Sequence, residues 1–329
     1  MALTQEINLV PEAISSIRRH TLNEGSGRAQ GIRKGILYMF DQVVFAGGGG
    51  RCIWQIGFWE SVADEINLRP KVVSAVSAGG LVAGLLLIDR GQEAVRYVQS
   101  VFSDNRKNVY WRNLFREEAV FPQYEICRDG IRQLFDKGLV DLQAVAELRL
   151  AVCHPPAWMF GPLALTFGAV IYYADKKFPR SLHSSTATRL GFRQSFYRAQ
   201  DCADMEELEH LILSSSCTPP FTPRLQLNGA EILDGGVVDN VPVAGLDGEE
   251  GRVLILLTAR FPGYPDCFTQ RQGAQLWTYV QPSRVLPIKV WDFTSPEAVT
   301  ATLNIGRIDG RALLDKLHSG ATELGAQVL

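Results

Sequence analysis

Three short stretches of this 329-residue chain hold residue types that could act on a carbonyl group. The first is the run Gly47-Gly48-Gly49-Gly50, which follows the apolar stretch QVVFA and precedes Arg51 and a helix-like segment. Each glycine loses backbone entropy on folding, so four together imply a turn that any side chain would obstruct. A strand turning into a helix there exposes backbone N–H groups, and with the helix dipole these make an anion site. A P-loop is excluded because no G-K-[ST] follows. The dinucleotide pattern G-x-G-x-x-G fails at its last position, where Cys52 or Ile53 stands. An oxyanion hole for acyl transfer remains.

That chemistry needs a nucleophile, and Ser77 meets the requirement. Ala75-Val76-Ser77-Ala78-Gly79 has the form of a G-x-S-x-G elbow with alanine at its first place. Small residues two positions either side of the serine let neighbouring backbone press against a sharp turn. The third stretch is Asp234-Gly235-Gly236, at the end of a short apolar run. Its glycines permit a tight turn that projects the carboxylate; an ordinary D-G turn between strands is the other reading. Asp239 reads as a cap or hydrogen-bond partner for the same loop.

Several elements must position these residues. Residues 42–46, 71–76, 148–153, 252–259 and 278–282 read as strands, the last of them closing the series. Helical patterns follow the first two. Residues 78–89 are apolar nearly all round, so that helix should be buried. Alternating strands and helices imply a mostly parallel sheet with helices on both faces, and continuous apolar strands agree. Near the end, Ser295 is the expected N-cap, with Pro296 first in the helix and Glu297 in its first turn.

The domain reading is an N-terminal extension over 1–35, a catalytic domain over 36–265, and a C-terminal strand and helix over 266–329 packed on the same domain. The extension carries Arg18, Arg19, Arg28, Arg33 and Lys34 against Glu24; it reads as solvated, with attraction to an anionic membrane as the alternative. Residues 151–174 hold no Asp, Glu, Lys or Arg. Pro155, Pro156 and Pro162 would interrupt a helix there. Three readings stay open: a buried core element, a membrane-docking lid bearing Trp158 and Phe160, and a membrane span.

Net charge is −2, which argues against a nucleic-acid partner. The six cysteines are scattered singly, so neither a zinc site nor a disulfide framework is expected. No secretory signal is evident, and a cytoplasmic setting with peripheral membrane contact is the expectation. The oligomeric state is left open. Of five histidines, only His318 follows Asp234, and it reads as a helix-end residue rather than a triad member.

Together, G-G-G-x-R, then A-x-S-x-G about thirty residues on, then D-G-G far downstream resemble the patatin-like phospholipases. The small-residue and proline-rich SSSCTPPFTPRL before the D-G-G adds to the likeness, which covers roughly residues 38–245. Ala75 for the usual glycine, and Cys52 for the glycine after the arginine, depart from the pattern. The resemblance implies a three-layer α/β/α patatin-like fold with a mostly parallel central sheet. It also implies a serine hydrolase that cleaves lipid acyl esters, of phospholipid or lysophospholipid, without metal or organic cofactor. Ser77 would be the nucleophile and Asp234 its general base in a Ser-Asp dyad. The N–H groups of Gly48, Gly49 and Gly50 would form the oxyanion hole, with Gly47, Arg51, Ala75, Gly79, Gly235 and Gly236 shaping the motifs. A free Asp has a pKa of about 3.9, and burial in an apolar pocket would make it a better base. An acyltransferase and a catalytically silent lipid-binding protein are the alternatives.

Overall fold

The apolar runs that mark strands in the sequence are buried on both faces of one sheet. In the computed structural model, which describes residues 40–115, 118–136, 138–156, 182–183 and 186–319, the first half contains β1 (Gln42–Phe45), a 3-10 turn (Gly49–Cys52), α1 (Ile53–Val62), β2 (Val72–Val76) and α2 (Ala78–Leu87). Then come α3 (Gly91–Asp104), a second 3-10 turn (Trp111–Phe115), α4 (Gln123–Phe135), α5 (Gly138–Gln143) and β3 (Glu147–His154). The second half contains α6 (Thr186–Arg189), β4 (Arg193–Arg198), α7 (Met205–Ser215), the hairpin β5 (Gln226–Leu227) and β6 (Ala230–Glu231), and β7 (Leu233–Asp234). It closes with β8 (Gly251–Leu256), β9 (Cys267–Gln272), β10 (Gln275–Val280) and α8 (Pro296–His318). The expected extension over 1–35 and residues 157–174 of the uncharged segment lie outside the described residues.

The sheet has eight strands, ordered β4-β3-β2-β1-β8-β10-β9, with β7 also paired to β3. β3, β2, β1, β8 and β10 run parallel, while β4, β7 and β9 are antiparallel. It is thus a mixed α/β fold with a mostly parallel central sheet. Two strands that the sequence does not announce, β4 (RQSFYR) and β9 (CFTQRQ), are the outermost ones of the sheet. Charged and polar residues suit an edge, where they discourage pairing with other chains, but they erase the apolar signal of a strand.

Alternate side chains of β1 divide the core. Val43 and Phe45 join the larger cluster, with residues of α1, α2, α3 and α8. Val44 and Ala46 face a second cluster that includes Val241, Ile255, Phe268 and Tyr279. No helix among the described residues is long and apolar enough to cross a membrane.

The helix after the glycine run is clamped by the last helix. α1 and α8 touch backbone to backbone: a Cβ on Gly57 would strike Leu303 O, and a Cβ on Gly306 would strike Trp54 O. Inside this contact the Trp54 indole donates to Asp309 Oδ2 at 2.7 Å, and Ser283 N–H donates to the same oxygen at 3.0 Å. α8 starts where expected, with Pro296 in its first turn. Its cap differs from the expectation. The Ser295 hydroxyl donates to Asp292 Oδ2 at 2.8 Å and makes no cap bond, because Asp292 already organises the turn through Thr294.

Gly306→Ala is expected to destabilise the protein by about 1–3 kcal/mol, because overpacking outweighs the better helix propensity of alanine. Ile308→Ala, on the exposed side of the same helix, should change stability by no more than about 0.5 kcal/mol. Urea unfolding of both variants measures the difference.

Candidate active site

At the C-terminal end of β1 the chain enters the glycine run, and each peptide there is held from a different part of the fold. Gly47 N–H donates to Asn240 O at 3.1 Å. Gly47 O accepts from Asn240 Nδ2 at 2.8 Å and from the Thr258 hydroxyl. Gly50 N–H donates to Val290 O at 3.1 Å. Gly49 has φ +56°, and a Cβ on it would strike the same Val290 carbonyl. These contacts are why the run is glycine: the backbone is left-handed at Gly49, and side chains on Gly47 and Gly48 would strike Asn240 and Thr258. They also separate the glycines by role. Gly50 N–H is engaged by Val290, whereas Gly48 and Gly49 N–H have no acceptor among the described residues.

Ser77 sits between β2 and α2 with φ +56° and ψ −140°, a conformation that a residue with a Cβ rarely adopts. Such strain persists only where the surroundings over-determine it, and it is the mark of a nucleophile elbow. The surroundings here are specific. Ser77 N–H donates to Ser215 Oγ at 2.9 Å, and that hydroxyl donates on to Ala151 O at 2.7 Å. The small residues flanking the elbow meet their expected demand: a Cβ on Gly79 would lie 2.5 Å from Ala46 O, and Ala75 is fully buried. The first turn of α2 starts at this serine, so the positive end of its dipole lies beside the hydroxyl.

Asp234 reaches the same place through the sheet. β2 pairs with β3 up to Val76, opposite Ala151, and then turns away at Ser77. β7 pairs with β3 through Asp234, opposite the next residue, Val152. β4 already occupies the other edge of β3 over this stretch, so β7 must lie on the edge that β2 has vacated. Gly235 agrees, since a Cβ on it would meet Ala151 O and would lie 2.9 Å from the Val76 side chain. Val76, the residue that leads into Ser77, and Asp234 therefore stand at successive positions along one edge of β3. The glycine run adjoins them, with the Cβ of Ser77 3.2 Å from where a Gly47 Cβ would be. Asp234 is buried; its Oδ1 accepts from Gly236 N–H at 2.7 Å and its Oδ2 from the Thr218 hydroxyl at 3.4 Å.

Other expected residues take their places around this pair. Arg51 donates from Nε to Gly48 O at 3.4 Å, and burial lowers its pKa. Asp239 caps its loop, accepting from Val241 N–H at 2.9 Å, and its other oxygen meets His183 Nδ1 at 2.9 Å. Burial raises the Asp239 pKa, against the opposing pull of His183. Cys52 is buried, with its thiol toward Ala46 O. His318 is exposed at the end of α8. Among the described residues no cluster of His, Cys, Asp and Glu could hold a metal ion.

A cavity of about 100 Å³ opens beside Gly49, Gly50 and Ala78 and runs between α2, α3 and α4 past Ala94, Val98 and Leu134. Its lining holds no Asp, Glu, Lys, Arg or His, and burial lifts the Tyr97 hydroxyl and the Cys127 thiol each to about 12. Sequence reasoning did not single out Asn240, Thr258, Ser215, Thr218 or Val290. Their roles arise from contacts across the chain, and only the nearness of Asn240 to the D-G-G turn hinted at one.

The sequence model of one protein family, described as patatin-like phospholipase, matches residues 43–247. No curated protein matches the chain. Among solved structures, VipD from Legionella pneumophila is similar at 12% identity and a TM-score of 0.40, covering 84% of this chain and 67% of that one. Human GIVD cytosolic phospholipase A2 is similar at 10% identity and a TM-score of 0.38, covering 87% of this chain and 63% of that one. Likenesses this distant carry no functional weight.

Gly49→Ala should destabilise the protein by about 1–3 kcal/mol, because φ is +56° there and a methyl group would strike the Val290 carbonyl. Gly263→Ala, where a Cβ meets nothing within 4 Å, should change stability by no more than about 0.5 kcal/mol. Urea unfolding of both variants compares the two.

Proposed function

The chain belongs to the patatin-like phospholipase family, and from that premise we propose that it hydrolyses the acyl esters of phospholipids or lysophospholipids with Ser77 as nucleophile and Asp234 as general base. The observation that carries this reading is the strained backbone at Ser77, with Asp234 taking the β3 position next after that of Val76, which leads into the serine. A serine hydroxyl is a weak nucleophile and needs a base within reach.

The reaction then proceeds in two halves. Asp234 takes the hydroxyl proton as Ser77 Oγ attacks the ester carbonyl. The carbonyl oxygen becomes an oxyanion, received by Gly48 and Gly49 N–H at the positive end of α2. Collapse expels the alcohol, which takes the proton from Asp234, and leaves an acyl-serine. Water repeats the sequence: Asp234 removes its proton, the ester breaks, and the proton returns to Ser77 Oγ. In this account Gly50 braces the turn through Val290 and does not donate to the oxyanion.

The cavity beside Ala78 supports an acyl rather than a polar substrate. Its lining is uncharged, and its volume approaches that of the apolar cavities of about 150 Å³ that admit benzene. It therefore holds a stretch of hydrocarbon chain with the carbonyl left at Ser77.

Ser77→Ala is expected to lower kcat by about 10⁴-fold or more, and Asp234→Asn by a similar order, with folding preserved. His318→Ala should stay within twofold of wild type. A histidine variant as inactive as the serine variant would mean a triad instead. Ala94→Phe, which fills the cavity, should depress turnover of long acyl chains more than that of acetyl or butyryl esters. A panel of esters graded by chain length, with product detected by mass spectrometry, reads both outcomes.

A further inference from the structure

We propose that the 3-10 turn Trp111–Phe115 is the anchor that seats this protein on a phospholipid surface carrying anionic headgroups. It rests on the lipid-hydrolase reading only for the kind of surface involved. The observation behind it is independent of the catalytic residues. Trp111 is 68% exposed and Phe115 91% exposed, and they stand on one turn. The other large exposed apolar residues among those described are aliphatic. Aromatic side chains favour the bilayer interface, where the ring is buried beside the headgroups.

The loop that carries the turn is bonded at its base. Tyr110 N–H donates to Val120 O at 2.8 Å, and Asn113 Nδ2 donates to Ala119 O at 2.9 Å. The stretch leading to it is bonded as well: Asn105 Nδ2 donates to Phe293 O, and Phe293 N–H returns a bond to Asn108 Oδ1, both at 2.8 Å. Arg106, Lys107 and Arg112 are exposed on the same stretch of chain, and none pairs with an acid among the described residues. Asp104 and Glu118 are the exposed acids of that stretch among the described residues. Each cation near an anionic membrane adds attraction to that of the buried rings.

The turn leads to the reaction centre. Trp111 meets Phe121 edge-on at 6.5 Å, Phe121 meets Phe221 at 5.0 Å, and Phe221 stacks on Trp291 at 4.5 Å. Trp291 follows Val290, whose carbonyl holds Gly50. Phe293, to which Asn105 and Asn108 ahead of the turn are bonded, lines the acyl cavity. A bilayer seated on Trp111 and Phe115 thus lies against the wall of the cavity that would take the chain. The sequence suggested residues 151–174 as a docking lid; this site is a different one.

The test uses the full chain carrying Ser77→Ala, so that vesicles stay intact. Co-sedimentation is measured with vesicles of phosphatidylcholine alone and of phosphatidylcholine with phosphatidylglycerol. The expected result is binding to the mixed vesicles that weakens with salt, and at least about a tenfold weaker partition after Trp111→Ser with Phe115→Ser. Arg106→Glu with Lys107→Glu should reduce binding to the mixed vesicles only. In the background with Ser77 intact, the double aromatic variant should hydrolyse a short monomeric ester within twofold of wild type. No vesicle binding by the parent, or equal binding by the aromatic variant, overturns the proposal, and so does an equal loss on the monomeric ester. Vesicle binding lost on aromatic substitution in a protein that hydrolyses no ester would uphold the anchor and defeat the hydrolase reading.

Discussion

The carbonyl of Gly47 is the point on which the site depends. It lies two residues past the buried end of β1 and accepts from both Asn240 and Thr258. One donor comes from the loop after Asp234 and the other from the segment after β8. A backbone carbonyl bound from two sides cannot rotate, so the peptide that follows is fixed in direction. Val290 fixes the run again from the far side, through Gly50. The glycines supply permission for this geometry; the three distant residues impose it.

The same logic extends into the helices. Gln55, buried in α1, donates to Ala46 O and Leu256 O at 3.0 and 3.1 Å, tying the helix to the ends of β1 and β8. From outside, α8 presses on α1 through Gly57 and Gly306. The start of α1, and with it the turn that feeds it, is located by sheet and terminal helix together. Here packing density serves position as much as stability.

The legible parts of the sequence were those whose physics is local. Four glycines, a serine between small residues, and apolar strands buried on both faces each announce themselves within a few positions. β4 and β9 did not, because an edge strand with arginines carries no apolar pattern. Asn240, Thr258 and Ser215 were invisible for another reason. An amide or hydroxyl that braces a peptide is chemically identical to one facing water, and only the fold brings it to its acceptor. Ser295 was placed at the right boundary but given the wrong bond, since Asp292 competes for its hydroxyl. Trp111 and Phe115 drew no reading from the sequence, because exposure is a property of the folded chain.

Val76, which leads into Ser77, and Asp234 are paired to two consecutive residues of β3, Ala151 and Val152, whereas the walls of the apolar cavity come mostly from α2, α3 and α4. α3 and α4 belong to the long connection between β2 and β3, which leaves the sheet after α2 and rejoins it before Ala151. That division makes the molecule modular. The β3 edge that seats Val76 and Asp234 does not draw on the length or composition of that excursion. In the reading proposed above, α3 and α4 could be lengthened, narrowed or exchanged to suit another chain while both groups keep their places. Much of the cavity wall is thus written in a stretch of the gene apart from the pair, free to drift at its own rate.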